Sequence, residues 1–173
     1  MAQQLAMWVD GPAPIRRRAA VTLVPGADNR TAATLQRTRG DFELVRVLSP
    51  DGVGVCQIRV AGKTIRGDDF GGRVRAAFDA TLQQLHLAYG PPNELVDHLV
   101  PGAYYRRPSE WLRSIVRNER TWQAHWTPPV SAPLVDNVIG ITVAVRTHNE
   151  YDAYVTVQYR YGNAPGCRAT AAL

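Results

Sequence analysis

Between Asp68 and Pro92, the residues Phe70, Val74, Phe78, Leu82, Leu85 and Tyr89 recur at spacings of four, four, four, three and four. That period lays one apolar stripe along an α-helix and turns Arg73, Arg75, Asp79, Gln83 and His86 away from it. Asp68 or Asp69 can accept hydrogen bonds from the free amides at the helix start, where a negative charge also suits the helix dipole. Gly90 supplies a closing residue, and Pro91-Pro92 cannot continue the helix. Gly71 and Gly72 weaken the first turn, so the regular helix is expected over 73–89.

A second helix is expected over 108–119. Pro108 stands in its first turn, Glu110 lies near its positive end, and Trp111, Leu112, Ile115 and Val116 form its buried stripe. Asn93 to Val100, ended by Pro101-Gly102, reads as a further short helix. Elsewhere the period is two. Strands are expected over 42–48, 53–60, 121–127, 138–147 and 153–161. Ser49-Pro50-Asp51-Gly52 turns the first pair into a hairpin. Ile139, Ile141, Val143 and Val145 in one run, and Ala153, Val155, Val157, Tyr159 and Tyr161 in the next, each alternate with polar or small residues and make the last pair the clearest hairpin in the chain, with one apolar and one polar face. Before Gly40 the pattern is weak. Trp8-Val9 suits a short strand or arm, Ala19 to Val24 a strand, and Pro25 to Gly40 a connector.

Strands followed by helices and strands again give an α+β fold: an antiparallel sheet of five or six strands with the two main helices packed on one face. Residues 1–40 are assigned to an N-terminal arm and 41–173 to a single α+β domain. A chain of 173 residues, 45% hydrophobic and 20% charged, suits one domain with a substantial core. No apolar run reaches the length of a membrane-spanning helix, and no secretory signal is evident, so a cytoplasmic protein is expected. A secreted or periplasmic mature form, its signal removed, is left open. Cys56 and Cys167 are too few for a disulfide framework or a zinc site. In a reducing cytosol they are expected as free thiols; were they to pair, the long loop enclosed would give about 4–5 kcal/mol of stabilisation.

The formal charge is +5, and Lys63 is the single lysine among 20 basic residues. Arginine favours bidentate contacts with anions, which brings nucleic acid into consideration. Ala, Gly, Pro, Val and Arg are also abundant together, as a GC-rich genome would produce without functional demand. Arg16-Arg17-Arg18 reads as a solvated charge run.

The motifs of serine hydrolases, P-loop proteins, dinucleotide-binding folds and zinc proteases are missing. His86, His98, His125 and His148 are dispersed. Glu94, Asp97 and His98 would share one face of a short helix without a further ligand, and Asp68-Asp69 is a carboxylate pair that helix capping already explains. No catalytic residue, metal or cofactor is therefore assigned, and a binding protein is placed ahead of an enzyme. From Tyr104 to Trp126 aromatics and arginines mix, as they do in single-strand binding and in protein interfaces. Trp111, Trp122 and Trp126 fall on periodic apolar faces and are assigned to the core. Tyr104, Tyr105, Arg106 and Arg107 follow no apolar period. They are the expected contact for a protein partner of inhibitor, immunity or accessory type. The alternatives are a nucleic-acid-binding protein using an Arg/aromatic surface and a small enzyme of unknown class.

Tyr89-Gly90-Pro91, Trp111-Leu112, Glu119-Arg120, Trp126 and the run Tyr159-x-Tyr161-x-Asn163-x-x-x-Cys167 are similar to small bacterial single-domain proteins of unassigned function. The resemblance covers roughly residues 40–170. It implies a bacterial single-domain protein and carries over no catalytic residues.

Overall fold

The computed structural model describes residues 4–8, 18–25, 31–35, 42–49, 53–68, 70–128, 134, 137–165 and 167. In chain order these form β1 (Gln4–Trp8), β2 (Arg18–Pro25), β3 (Thr31–Leu35), β4 (Phe42–Leu48), β5 (Gln57–Gly62), α1 (Gly72–Tyr89), β6 (Glu94–Leu99), a short 3-10 turn (Pro108–Glu110), α2 (Trp111–Val116), β7 (Arg120–Trp126), β8 (Val138–Thr147) and β9 (Ala153–Tyr161). All nine strands join one sheet in the order β1-β2-β3-β4-β5-β9-β8-β7-β6, with every adjacent pair antiparallel. Strands β4–β9 with two helices give the antiparallel α+β fold expected from the sequence, although β6 stands where a helix was expected, and β1–β3 extend the sheet at one edge.

The register separates the two faces. Ala124, Val143, Val157, Val60 and Val45 stand opposite one another across five strands, and so do Trp126, Ile141, Tyr159, Ile58 and Val47. Phe78 of α1 meets the Trp122 ring with centroids 4.9 Å apart, Trp111 of α2 meets it edge-on at 4.7 Å, and Tyr89 meets Tyr159 at 6.5 Å. Both helices therefore pack on this face, over β7, β8 and β9. Their stripe residues Val74, Phe78, Leu85, Trp111 and Leu112 join Trp126, Ile141, Val143, Val155 and Val157 in the main core. Beyond the helices, Val45 and Val47 form a smaller cluster with Val55, Ile58 and Val60.

The start of α1 is built as a device rather than a simple cap. Buried Asp68 accepts from the amides of Arg73 at 3.1 Å and Val74 at 2.8 Å, and its own amide donates to the Tyr151 carbonyl at 2.8 Å. One residue thus satisfies two free amides with its carboxylate and, through its backbone amide, ties the helix to the β8–β9 turn. Gly71 (φ 69°) makes the turn into the helix, and a Cβ there would lie 2.5 Å from Trp111. Phe70, expected on the buried stripe, precedes that turn and is exposed. At the other end, the Gly90 amide donates to the His86 carbonyl, and the Gly90 carbonyl accepts from Trp126 Nε1 at 2.9 Å.

Further expectations need correction, and the strand expected over 53–60 is found at Gln57–Gly62. Asn93 to Val100 is not a helix: β6 pairs with β7 from Glu94–His125 to Leu99–Arg120. So short a segment gains little as an isolated helix, whereas pairing satisfies the backbone groups that β7 would otherwise leave open. The expected connector 25–40 contains β3, whose Thr31–Leu35 backbone is taken up by β2 and β4. The second helix ends at Val116 rather than 119, because Asn118 turns left-handed (φ 56°) and the Glu119 amide returns to the Ser114 carbonyl. Finally, Cys56 and Cys167 are not free thiols. They form a disulfide with Cα atoms 6.2 Å apart, 111 positions apart in the chain. β9 runs beside β5, and the Tyr161 amide donates to the Cys56 carbonyl, so the segment after β9 returns to Cys56. Asn163 Nδ2 fastens it to the Val53 carbonyl at 2.8 Å.

Candidate functional site

Tyr104, Tyr105, Arg106 and Arg107 stand together on the loop between β6 and the 3-10 turn, at the edge of the sheet formed by β6. Gly102 (φ 82°) turns the chain, and buried Ala103 anchors it, its amide donating to the Val100 carbonyl at 3.1 Å. The Tyr105 amide donates to Glu119 Oε2 at 2.9 Å, and the Arg107 amide donates to Glu110 Oε2 at 3.1 Å. Two carboxylates from the following elements therefore fix the loop backbone at alternate residues.

The four side chains divide. Tyr104 is 80% exposed and meets the Tyr105 ring edge-on at 5.0 Å, while Tyr105 is half-buried. Arg106 is exposed but turns Nε back to the Ala103 carbonyl. Arg107 is exposed. Tyr104 and Arg107 thus present side chains outward from a pinned backbone, whereas Tyr105 and Arg106 partly serve the loop itself.

The other aromatics and arginines of 104–126 are brought into different work. Trp111 and Trp126 are buried and Trp122 packs against the same core, its ring meeting Trp111 and Phe78, as their apolar spacing requires. Arg113 Nε meets Glu150 Oε2 at 2.9 Å, with Arg117 Nη2 3.9 Å from the same carboxylate, which couples α2 to the β8–β9 turn. Arg120 pairs with Asp97. Arg75 lies 5.3 Å from the Trp111 ring centre as a cation–π contact.

The residues weighed as metal ligands are separated. In strand β6 Glu94 and His98 point to one face and Asp97 to the other, opposite Trp122. Among the described residues no group of three His, Cys, Asp or Glu side chains is placed to hold a metal ion. Asp68 is committed to the helix amides, and no described helix is long and apolar enough to cross a membrane.

One feature escaped the sequence reading. On the sheet face opposite the helices, His125, Thr142, Gln158, Arg59 and Arg46 stand in one cross-strand row over β7, β8, β9, β5 and β4. His125 Nδ1 is 3.2 Å from Thr142 Oγ1, and Arg59 donates to Gln158 Oε1 from Nη2 at 2.7 Å. Each residue sits alone in its own strand, so no linear motif announces the row; the polar alternation of each strand is its one trace in the sequence. Comparison with family models, with curated proteins and with solved structures finds no match to this chain.

Proposed function

We propose that this protein is a non-enzymatic binding module that recognises a protein partner through the Tyr104–Arg107 loop. The observation that carries this reading is a large aromatic side chain held outward on a backbone already fixed by Glu119 and Glu110. A loop ordered before binding has less conformational entropy to lose on association. Tyr and Arg are also the residues that contribute most where two proteins meet.

A photo-crosslinking residue at position 104, compared with one at exposed Gln83 on α1, tests the reading in the native cell extract. A partner captured only from position 104 supports it. Tyr104→Ala with Arg107→Ala should then weaken binding of that partner at least tenfold, about 1.4 kcal/mol, with little change in melting temperature. Capture from both positions alike, or undiminished binding by the double variant, would reject the loop as the contact.

The Cys56–Cys167 bond supports an oxidising compartment in place of the cytoplasm expected from the sequence, since cytosolic thiol pools keep such pairs reduced. The nucleic-acid alternative draws on the +5 charge and requires affinity that falls steeply as salt rises.

A further inference from the structure

We infer that the open face of β4, β5 and β9 is a second interaction surface, and that it takes an acidic polypeptide segment. This assignment goes beyond the loop reading and stands or falls independently of it.

Arg46 and Arg59 are registered directly opposite each other on β4 and β5, and Arg59 is opposite Gln158 on β9. Arg160, two positions along β9, is the diagonal neighbour of Arg59 on the same face. Neighbouring strands are about 4.8 Å apart, so the Arg46 and Arg59 side chains rise from adjoining positions, while the Arg160 guanidinium extends to the other side of β9, over β8. Like charges placed directly opposite disfavour a sheet unless something neutralises them. Among the described residues no carboxylate forms an ion pair with Arg46, Arg59 or Arg160. Among the described residues Glu94 lies on this face, on β6, four strands away from β5, and Glu43, nearer on β4, is engaged by the Thr64 amide and hydroxyl.

Two of the three guanidiniums are positioned before any ligand arrives. Arg59 donates from both Nε, at 3.3 Å, and Nη2, at 2.7 Å, to Gln158 Oε1. Arg160 lies across β8 over Gly140, where an added Cβ would meet its Nη2 at 2.7 Å. The lack of a side chain at Gly140 makes room for the guanidinium to lie flat there.

The surroundings choose between classes of polyanion. Leu44 and Leu48 flank Arg46 on the same face of β4, and Leu44 is 40% exposed. An aliphatic, cationic, aliphatic stripe suits a polypeptide that alternates carboxylates with apolar side chains. Base stacking needs aromatic platforms. On this face of β9 the aromatic is Tyr154, six positions from Arg160 and stacked on His148 at 4.6 Å. Bidentate guanidinium–carboxylate pairing, with aliphatic contacts beside it, is the chemistry this arrangement can supply.

The test uses the full, oxidised chain and two labelled probes, a short peptide of alternating Glu and Leu and an oligouridylate of matched charge, read by fluorescence anisotropy. The wild type should bind the peptide more tightly than the oligonucleotide. Arg46→Glu with Arg160→Glu should weaken peptide binding about tenfold or more, and this pair leaves the Arg59–Gln158 contact in place. The charge-matched Arg106→Glu with Arg107→Glu should change it less than about twofold, because that loop lies at the other end of the sheet order. Should the open-face variant fail to fold, Arg46→Gln alone must still weaken the peptide. Equal loss in the two charge-matched variants would reduce the effect to net charge and overturn the assignment. Loss only in the Arg106/Arg107 variant would move the acidic ligand to the loop. Tighter binding of the oligonucleotide would replace the polypeptide with nucleic acid, and no effect of any open-face substitution would remove the site altogether.

Discussion

The two faces of the sheet are made from the same strands, yet they answer to different demands. On the covered face Trp126, Ile141, Val143 and Val157 lie buried beneath Val74, Phe78 and Leu112. There shape decides, because close packing leaves a lost methylene nowhere to be compensated. On the open face Arg46 and Arg59 stand exposed and Thr142 and Gln158 are half-buried. Water can replace any one of those side chains, so little stability depends on them. The covered face therefore holds the molecule together, and the open face contributes little to that.

The sharpest way to break that contrast is to truncate one side chain packed on the covered face and one standing on the open face. Phe78→Ala, which removes a fully buried ring against Trp122, should cost about 3–5 kcal/mol in denaturant unfolding. Thr142→Ala on the open face should cost within about 0.5 kcal/mol. Comparable losses would mean that the open face is packed against something in the folded protein.

Reduction of Cys56–Cys167 asks whether the far end of the sheet can hold without a helix over it. The β4–β5 cluster is small, and the bond closes a long loop across 111 positions. Its removal by Cys56→Ser with Cys167→Ser should lower stability by about 2–5 kcal/mol. Hydrogen exchange should rise first in β4 and β5, while β7 to β9 stay protected. Uniform loss of protection would show the two halves to be one cooperative unit.

Gly71→Ala probes the join between the helices. It combines a left-handed backbone with a Cβ 2.5 Å from Trp111, so a loss of more than about 1 kcal/mol is expected from thermal melting. The neighbouring Gly72→Ala, with open space around the added methyl, should be neutral or slightly stabilising.

The smallest expected effect is electrostatic. The Asn149 side chain and the Gly67 amide both donate to Asp152, holding its carboxyl below the usual carboxylate range. A depressed folded-state pKa contributes stability that is present above the unfolded value and is lost as pH falls through the folded value. The wild type should accordingly lose slightly more stability than Asp152→Asn as pH falls below about 4. Parallel acid limbs for the two proteins would show that these contacts do not persist in solution.

How far the site was legible follows from the range of each interaction. Tyr104 to Arg107 could be singled out because four large side chains broke every apolar period, and the structure does leave Tyr104, Arg106 and Arg107 exposed. Which of them are taken up by the loop itself could not be read, because Ala103, Glu110 and Glu119 meet them only after the chain has turned. The open-face arginines were invisible as a group, since each is one polar position in an ordinary alternating strand.

By itself the sequence determined the elements whose signals are local: the stripe of α1, the Gly90 stop, the alternation of β8 and β9, and the consignment of Trp111, Trp122 and Trp126 to the core. A hydrophobic period needs only one partner surface, of any identity, to be satisfied. The tertiary structure alone decided the rest. The segment Glu94–Leu99 became a strand because β7 offered an open edge. Thr31–Leu35 became one because β2 and β4 lay on either side. Cys167 found Cys56, and Arg46 came to face Arg59, through strand pairing. Those outcomes rest on backbone groups and side chains that are distant in the chain, and no local preference encodes which of them will meet.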